Sequence, residues 1–326
     1  MIHIHSGDAA AAVLRQSGIP GENIVWCDLL MDGPLPAGCN GVKLAWLRAA
    51  SLAGATGGAL SIEACQRRLE EQDAAVDRAF AAADEVVLWI DACLYDQLIL
   101  IRLLDRLAEA DYRCQASLLC VDAAPGHSVL HGYGELTPAE IAPLLPLRRP
   151  VTAVMLAEAQ TAWCALCAPT PELLVELARR VAVAPAELPS LQDALCRLLE
   201  QYPAKGSGLD RLQQEVLEAV RDGADSLIPL FRAVSAREQR PFFGDTYLWR
   251  VVNELAAAPH PALILHGPGP LPLWGAPPDL KAWRLELTPT GRALLDGTAD
   301  WVLLNGLDRW IGGVHLAALA SPRGPS

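Results

Sequence analysis

The 326-residue sequence lacks any uninterrupted apolar run of the roughly 20 residues that a membrane-spanning helix needs. Its two longest candidates, Val86 to Ile101 and Val151 to Ala168, are broken by Asp91, Asp96 and Gln97 and by Glu158 and Gln160. A membrane partner is therefore not expected. Positive charge is also short: 26 Lys and Arg stand against 38 Asp and Glu, giving a formal net charge of −12. Such a field repels phosphate backbones and anionic head groups, which disfavours nucleic acid as a partner. The only adjacent basic pairs are Arg67-Arg68, Arg148-Arg149 and Arg179-Arg180, and these read as solvated helix or turn faces.

Regular cysteine spacing is absent as well. The nine cysteines match neither a disulfide framework nor a zinc site, and the first residues hold no charged leader followed by an apolar run, so a reducing, cytoplasmic setting is expected. Neither the dinucleotide glycine pattern nor the eight-residue phosphate-binding loop occurs.

Hydrophobic residues make up 52% of the chain and charged residues 20%, enough apolar surface to order most of a chain whose length suits two cores. Met1 to Ile4, Ile24 to Trp26, Glu85 to Ile90 and Cys114 to Val121 read as strands. Between them lie helical stretches at Ala9 to Gln16, Lys43 to Leu52, Ser61 to Ala83 and Tyr95 to Ala110. Such alternation predicts an α/β fold: a doubly wound, Rossmann-like parallel sheet over residues 1–135. An all-helical region follows over 136–203, with helix starts at Thr137-Pro138-Ala139-Glu140, Thr170-Pro171-Glu172 and Pro185-Ala186-Glu187. After the Pro203 to Gly208 linker, residues 204–326 are expected to form a winged-helix-like module. It has helices at Leu209 to Arg221, Leu227 to Ala236 and Thr246 to Ala257, a Pro-rich segment at Pro259 to Pro278, and paired runs at Trp283 to Leu287 and Trp301 to Leu304.

Ligands of parallel sheets sit at the carboxyl ends of strands. The candidate loops are Ser6 to Asp8, Cys27 to Asp32, Asp91 to Asp96 and Asp122 to His131. His3 and His5 share a strand face with Asp8 following, which is either the beginning of a metal site or two interior histidines. No metal is assigned, because two residues do not make a site. Ser6-Gly7-Asp8 offers an anion the N-terminus of a helix, or else Asp8 is simply the cap. Trp163 to Cys167 has dithiol spacing, but it falls inside a helix and reads as core thiols. Asp28, Asp32, Asp91 and Asp96 either gather at one end of the sheet or are surface loop acids.

Several blocks resemble an uncharacterised bacterial family catalogued as domain of unknown function 1835. They are Ile4 to Asp8, Val25 to Pro36, Leu88 to Leu98, Gly132 to Arg149, Trp163, Gly208-Leu209, Phe243-Gly244-Asp245, Leu287-Thr288, Gly291 and Asp308 to Gly313, spread over nearly the whole chain. The pattern matches at His3, Gly7, Asp8, Trp26, Asp28, Gly33, Pro34, Trp89, Leu94, Tyr95, Asp96 and Gln97. It departs at Cys27, where the family has Arg, at Met31, where it has His, and at Ala92-Cys93, where it has His-Asp. The resemblance implies architecture and candidate positions, not a reaction or a cofactor, and the departures imply altered chemistry if those groups form the family's site.

These readings converge on a small-molecule or nucleotide-binding protein with a small polar or phosphorylated ligand. Its expected site is His3, Gly7, Asp8, Asp28, Asp32, Asp91, Tyr95, Asp96 and Gln97. The alternative is a regulatory protein whose helical and winged-helix-like half binds a protein partner; exposed side chains among Trp249, Trp283, Trp301 and Trp310 would favour it.

Overall fold

The computed structural model describes residues 1–109, 114–124, 126–127, 130, 132–275 and 279–320. It is a mixed α/β protein built on a five-stranded, mostly parallel sheet. The first part runs β1 (Ile2–His5), α1 (Asp8–Gln16), β2 (Glu22–Val25), α2 (Gly41–Ala55), α3 (Ile62–Ala82), β3 (Glu85–Trp89), α4 (Leu94–Glu109) and β4 (Gln115–Leu119). Next come the short α5 (Pro138–Ile141), β5 (Arg149–Pro150), α6 (Ala153–Leu166), α7 (Glu172–Val183) and α8 (Leu191–Leu199). The sheet order is β2-β1-β3-β4-β5, with β5 antiparallel.

The apolar run of β3 explains its central place, because every residue from Val86 to Ile90 is buried whichever face it points to. Val86, Leu88 and Ile90 join Ile4, Ile24, Val76 and Phe80 on one face. Val87 and Trp89 join Leu14, Leu119, Tyr133 and Ile141 on the other. Each such side chain contributes about 1.5–3 kcal/mol on burial. Helix α4 is enclosed nearly all round, between the sheet and α6 and α8. Its one long cation in that interface, Arg102, lies 4.6 Å over the Trp163 ring and 3.0 Å from Asp105.

The remaining elements are α9 (Arg211–Arg221), α10 (Leu227–Ser235), α11 (Asp245–Ala257), β6 (Leu263–His266), β7 (Arg284–Leu287), α12 (Pro289–Leu295), α13 (Trp301–Asn305), β8 (Leu307–Ile311) and β9 (Val314–Ala318). β6 pairs antiparallel with β7, and Leu285 N–H donates to the Asp225 carbonyl at 2.8 Å. One apolar cluster runs from Ile4 to Ile311 and spans all three sequence regions.

Several expectations are corrected. Trp301 to Leu304 forms α13; the partner of β7 is Leu263–His266, inside the Pro-rich segment. Pro185-Ala186-Glu187 opens no helix, since α8 begins at Leu191 after Ser190, whose φ is 56°. β5 interrupts the region expected to be wholly helical. Trp249, Trp283 and Trp301 are buried, so they are core and not interface. The Asp122 to His131 loop lies partly outside the described residues, as do Ala110 and the Pro278 end of the Pro-rich segment.

The β8–β9 hairpin matters most for the site. It turns through Gly312-Gly313; Gly312 has φ 58° and Leu166 O lies 2.3 Å from where its Cβ would be, so only glycine fits there. Gly312 O accepts from Leu35 N–H at 2.9 Å, and Gly313 N–H donates to Leu166 O at 2.8 Å. The hairpin is thereby fastened to the loop after β2 and to the end of α6.

Candidate functional site

The chain passes from β1 to β2 on one side of β1 and then crosses to β3 on the other, so the carboxyl ends of β1 and β3 diverge at a switch point. Asp91, Tyr95, Asp96 and Gln97 meet there, as the sequence suggests, but they are packed into the protein. Asp96 accepts from Asp91 N–H at 2.8 Å, Asp91 accepts from Cys93 N–H at 3.0 Å, and Gln97 donates to Asp91 O at 2.7 Å. Tyr95 donates to Ser6 O at 3.3 Å, tying α4 to the loop after β1. Burial, with each carboxyl beside the other, pushes Asp96 well up, and burial raises Asp91; the two are hydrogen-bonded to one another. Asp91, Cys93 and Asp96 bring ligand atoms within 4.8 Å of one another. Burial, with Asp91 and Asp96 beside it, drives the Cys93 thiol well above its ordinary value.

The other expected residues take different places. His3 is interior: it accepts from Trp89 Nε1–H at 3.0 Å and bonds Pro20 O at 3.2 Å, and burial lowers its pKa. His5 beside it bonds Asn23 Oδ1 at 2.9 Å, and burial pushes it down to about 4. The two histidines are therefore neutral parts of the sheet's α1-side layer. Gly7 is the N-cap of α1 and Asp8 lies in the first turn, exposed, with Arg68 3.7 Å away; Asp8 is not the cap. Asp28 is buried in a bidentate pair with Arg48 at 2.5 and 2.6 Å. Arg48 also donates to the carbonyls of Leu29, Asp32 and Pro34, so one guanidinium fixes the whole loop after β2. Gly33 lets that loop turn: its φ is 77°, and Ser51 Oγ lies 2.3 Å from where its Cβ would be.

Of the expected set, Tyr95 borders an opening of about 310 Å³ with Leu29, Met31 and Phe243, and Asp32 borders another. Asp32 pairs with Arg250 of α11 and accepts from Gly33 N–H at 3.0 Å. Burial opposes its ionisation, but Arg250, Arg309 and the Gly33 N–H outweigh that and hold its carboxyl below the usual range. A cavity of about 420 Å³ opens here, between the β2 loop and the C-terminal region. Arg309 of β8 reaches Asp210 at 2.5 Å and Gln201 at 3.2 Å on its wall. Burial would lower both guanidiniums, yet the surrounding acids and Tyr247 raise them and keep them charged. Tyr247 lies under Arg250, 4.7 Å from ring centre to guanidinium carbon, and burial pushes its phenol up to about 12. Glu254, one turn along α11 from Arg250, lines the cavity with an exposed side chain.

Arg250, Glu254, Asp210 and Arg309 were not foreseen. The Arg250/Glu254 spacing of four residues on one helix, and the Gly-Gly pair that announces the β8–β9 hairpin, are the signals that could have found two of the strands and side chains involved. Set against protein-family models and against curated proteins, the chain matches none.

Proposed function

We propose that the protein binds a small polar molecule in the cavity between the β2 loop and the C-terminal region. The observation that carries this is an open space of about 420 Å³ whose wall concentrates charged side chains, with Arg250 held by Asp32 and Arg309 by Asp210. Its volume falls in the range of small-molecule sites, and convergent, prefixed polar groups are what such sites use for orientation. At the sheet rim the carboxyls are spent on the backbone of their own segment, and the opening of about 310 Å³ beside Tyr95 is lined mainly by apolar and aromatic side chains.

The finer architecture follows the same reading. Strand order β2-β1-β3-β4 with helices on both faces supports a Rossmann-like first part. Three helices followed by the β6–β7 ladder, with Asp225 bonded to its outer edge, support a winged-helix-like module. Membership of the domain-of-unknown-function family 1835, as a divergent relative, is proposed on the same footing: Gly33-Pro34, Gly208 and Asp308 to Trp310, all within the resembling blocks, line this cavity. The nine cysteines are free, which supports a reducing, cytoplasmic setting.

The test is a thermal-shift panel of nucleotides, sugar phosphates, amino acids, amines and divalent metals on the wild type and on Ala258→Trp, which places an indole at the cavity wall. A ligand at about 100 times its Kd adds about 2.7 kcal/mol, or about 4 °C for a chain of this size. The expected result is a shift in the wild type that Ala258→Trp abolishes. No shift with any compound, or a shift that Ala258→Trp retains, overturns the assignment of this cavity.

A further inference from the structure

We propose that a second, smaller cavity, independent of the one above, binds a tetrahedral oxyanion of phosphate size. Its volume is about 160 Å³, and it lies where α8, the segment between α10 and α11, and the start of α4 meet. Two guanidiniums on its wall carry the argument. Arg197 of α8 gives Nη2 and Nε to Glu238, at 2.6 and 3.0 Å, and lays its face on the Phe242 ring at 4.7 Å. Its remaining arm, Nη1, is buried with no acceptor among the described residues, and the residue as a whole is 8% exposed. Arg240 gives Nη1 to the exposed Asp122 at 2.8 Å, and its Nε is likewise buried with no acceptor among the described residues. A buried N–H left unanswered on a charged group is costlier than one on a neutral group, and two such groups border the same small space.

The acids of the wall do not answer these donors. Glu238 is taken by Arg197, Glu200 accepts from Arg211 at 2.7 Å, and Asp193 is exposed, where solvent screens its charge. Three guanidiniums thus stand against three carboxylates, and the unmet groups are donors, so a cation gains nothing here. A neutral acceptor would give the two arginines ordinary bonds, whereas an oxyanion gives them charge-assisted ones, about twice as strong. Ala92 and Leu94 add the start of the 16-residue α4, whose dipole favours negative charge at that end. The three contributions come from separate elements and so suit an ion with oxygens in several directions better than a planar carboxylate.

Isothermal titration of the full chain with inorganic phosphate, sulfate and acetate at fixed ionic strength tests this. Phosphate and sulfate are expected to bind at least about tenfold tighter than acetate, and Arg240→Gln is expected to lose about tenfold or more of the phosphate affinity. In the unaltered protein, phosphate is expected to shift the amide signals of Ala92, Leu94, Arg197 and Arg240, a measurement that stands whether or not the variant folds. Binding of none of the three ions overturns the site, as does acetate binding as tightly as phosphate. Phosphate affinity unchanged in a folded Arg240→Gln protein also overturns it. Phosphate binding that Ala258→Trp abolishes, with shifts at Gly33 and Gly208, places the ion in the larger cavity; that outcome overturns this site while leaving the ligand-binding reading above intact.

Discussion

The sheet's carboxyl rim and the cavity beside it use the same residue types to opposite ends. At the rim, Asp91 and Asp96 form no ion pair among the described residues and accept from N–H groups of their own segment, and burial pushes both carboxyls up. At the cavity, Asp32 and Asp210 each meet an arginine delivered from a distant element, beside an open volume. What differs is not acidity but the source of the partner. Local backbone partners make a sealed turn, whereas partners from α11 and β8 leave a gap where three segments of chain meet.

The comparison is broken most severely at Arg48, whose guanidinium holds the β2 loop that borders both regions. Arg48→Ala strands Asp28 as a buried unpaired carboxylate and is expected to cost about 3–5 kcal/mol in denaturant unfolding. A loss below about 1 kcal/mol would show that the loop is held by other contacts. Next in size is acid sensitivity at the interior histidine. His5 in the fold is depressed to about 4 against about 6.5 when unfolded, so its stabilising neutral form contributes fully above 6.5 and the contribution is lost as pH falls from there towards 4, about 3 kcal/mol in all. Imidazole chemical shifts in an NMR titration should leave His5 neutral at pH 5; protonation there would contradict its place in the layer.

Gly33→Ala forces a side chain into a left-handed position against Ser51 and is expected to cost about 1–3 kcal/mol, read by the same unfolding curves. The smallest effect sharpens the contrast from the rim side. Asp96→Asn keeps an acceptor for Asp91 N–H and replaces the protonated carboxyl with a permanent donor. At pH 8 it should raise stability by about 1 kcal/mol, because a raised acid opposes the fold once deprotonated and that opposition vanishes on acidification. The gain should therefore shrink as pH falls; a loss of stability at pH 8 would mean that Asp96 is held ionised.

The α/β pattern of the first part was legible because β3 is a continuous apolar run and each helix carries its own start signals. That reading located the strand-end loops and brought Asp91, Tyr95, Asp96 and Gln97 together, since those four lie within seven consecutive residues. Local sequence does not show which distant arginine answers which aspartate. Asp32 and Arg250 stand 218 positions apart, and Arg309 reaches Asp210 only because Gly312-Gly313 folds β8 back onto Leu35 and Leu166. The same limit hid β6, a four-residue strand set among prolines whose pairing is decided by β7. His3 was misplaced for a simpler reason: strand alternation told which residues share its face but not that α1 covers that face.

Backbone chemical-shift mapping with the compound that gives the largest thermal shift tests the central claim most directly. The account predicts that the perturbed amides cluster at Gly33, Gly208 and Gly306 around the cavity. Perturbations centred instead on Ser6, Gly7 and Asp91 to Gln97 would contradict it and return the site to the sheet rim.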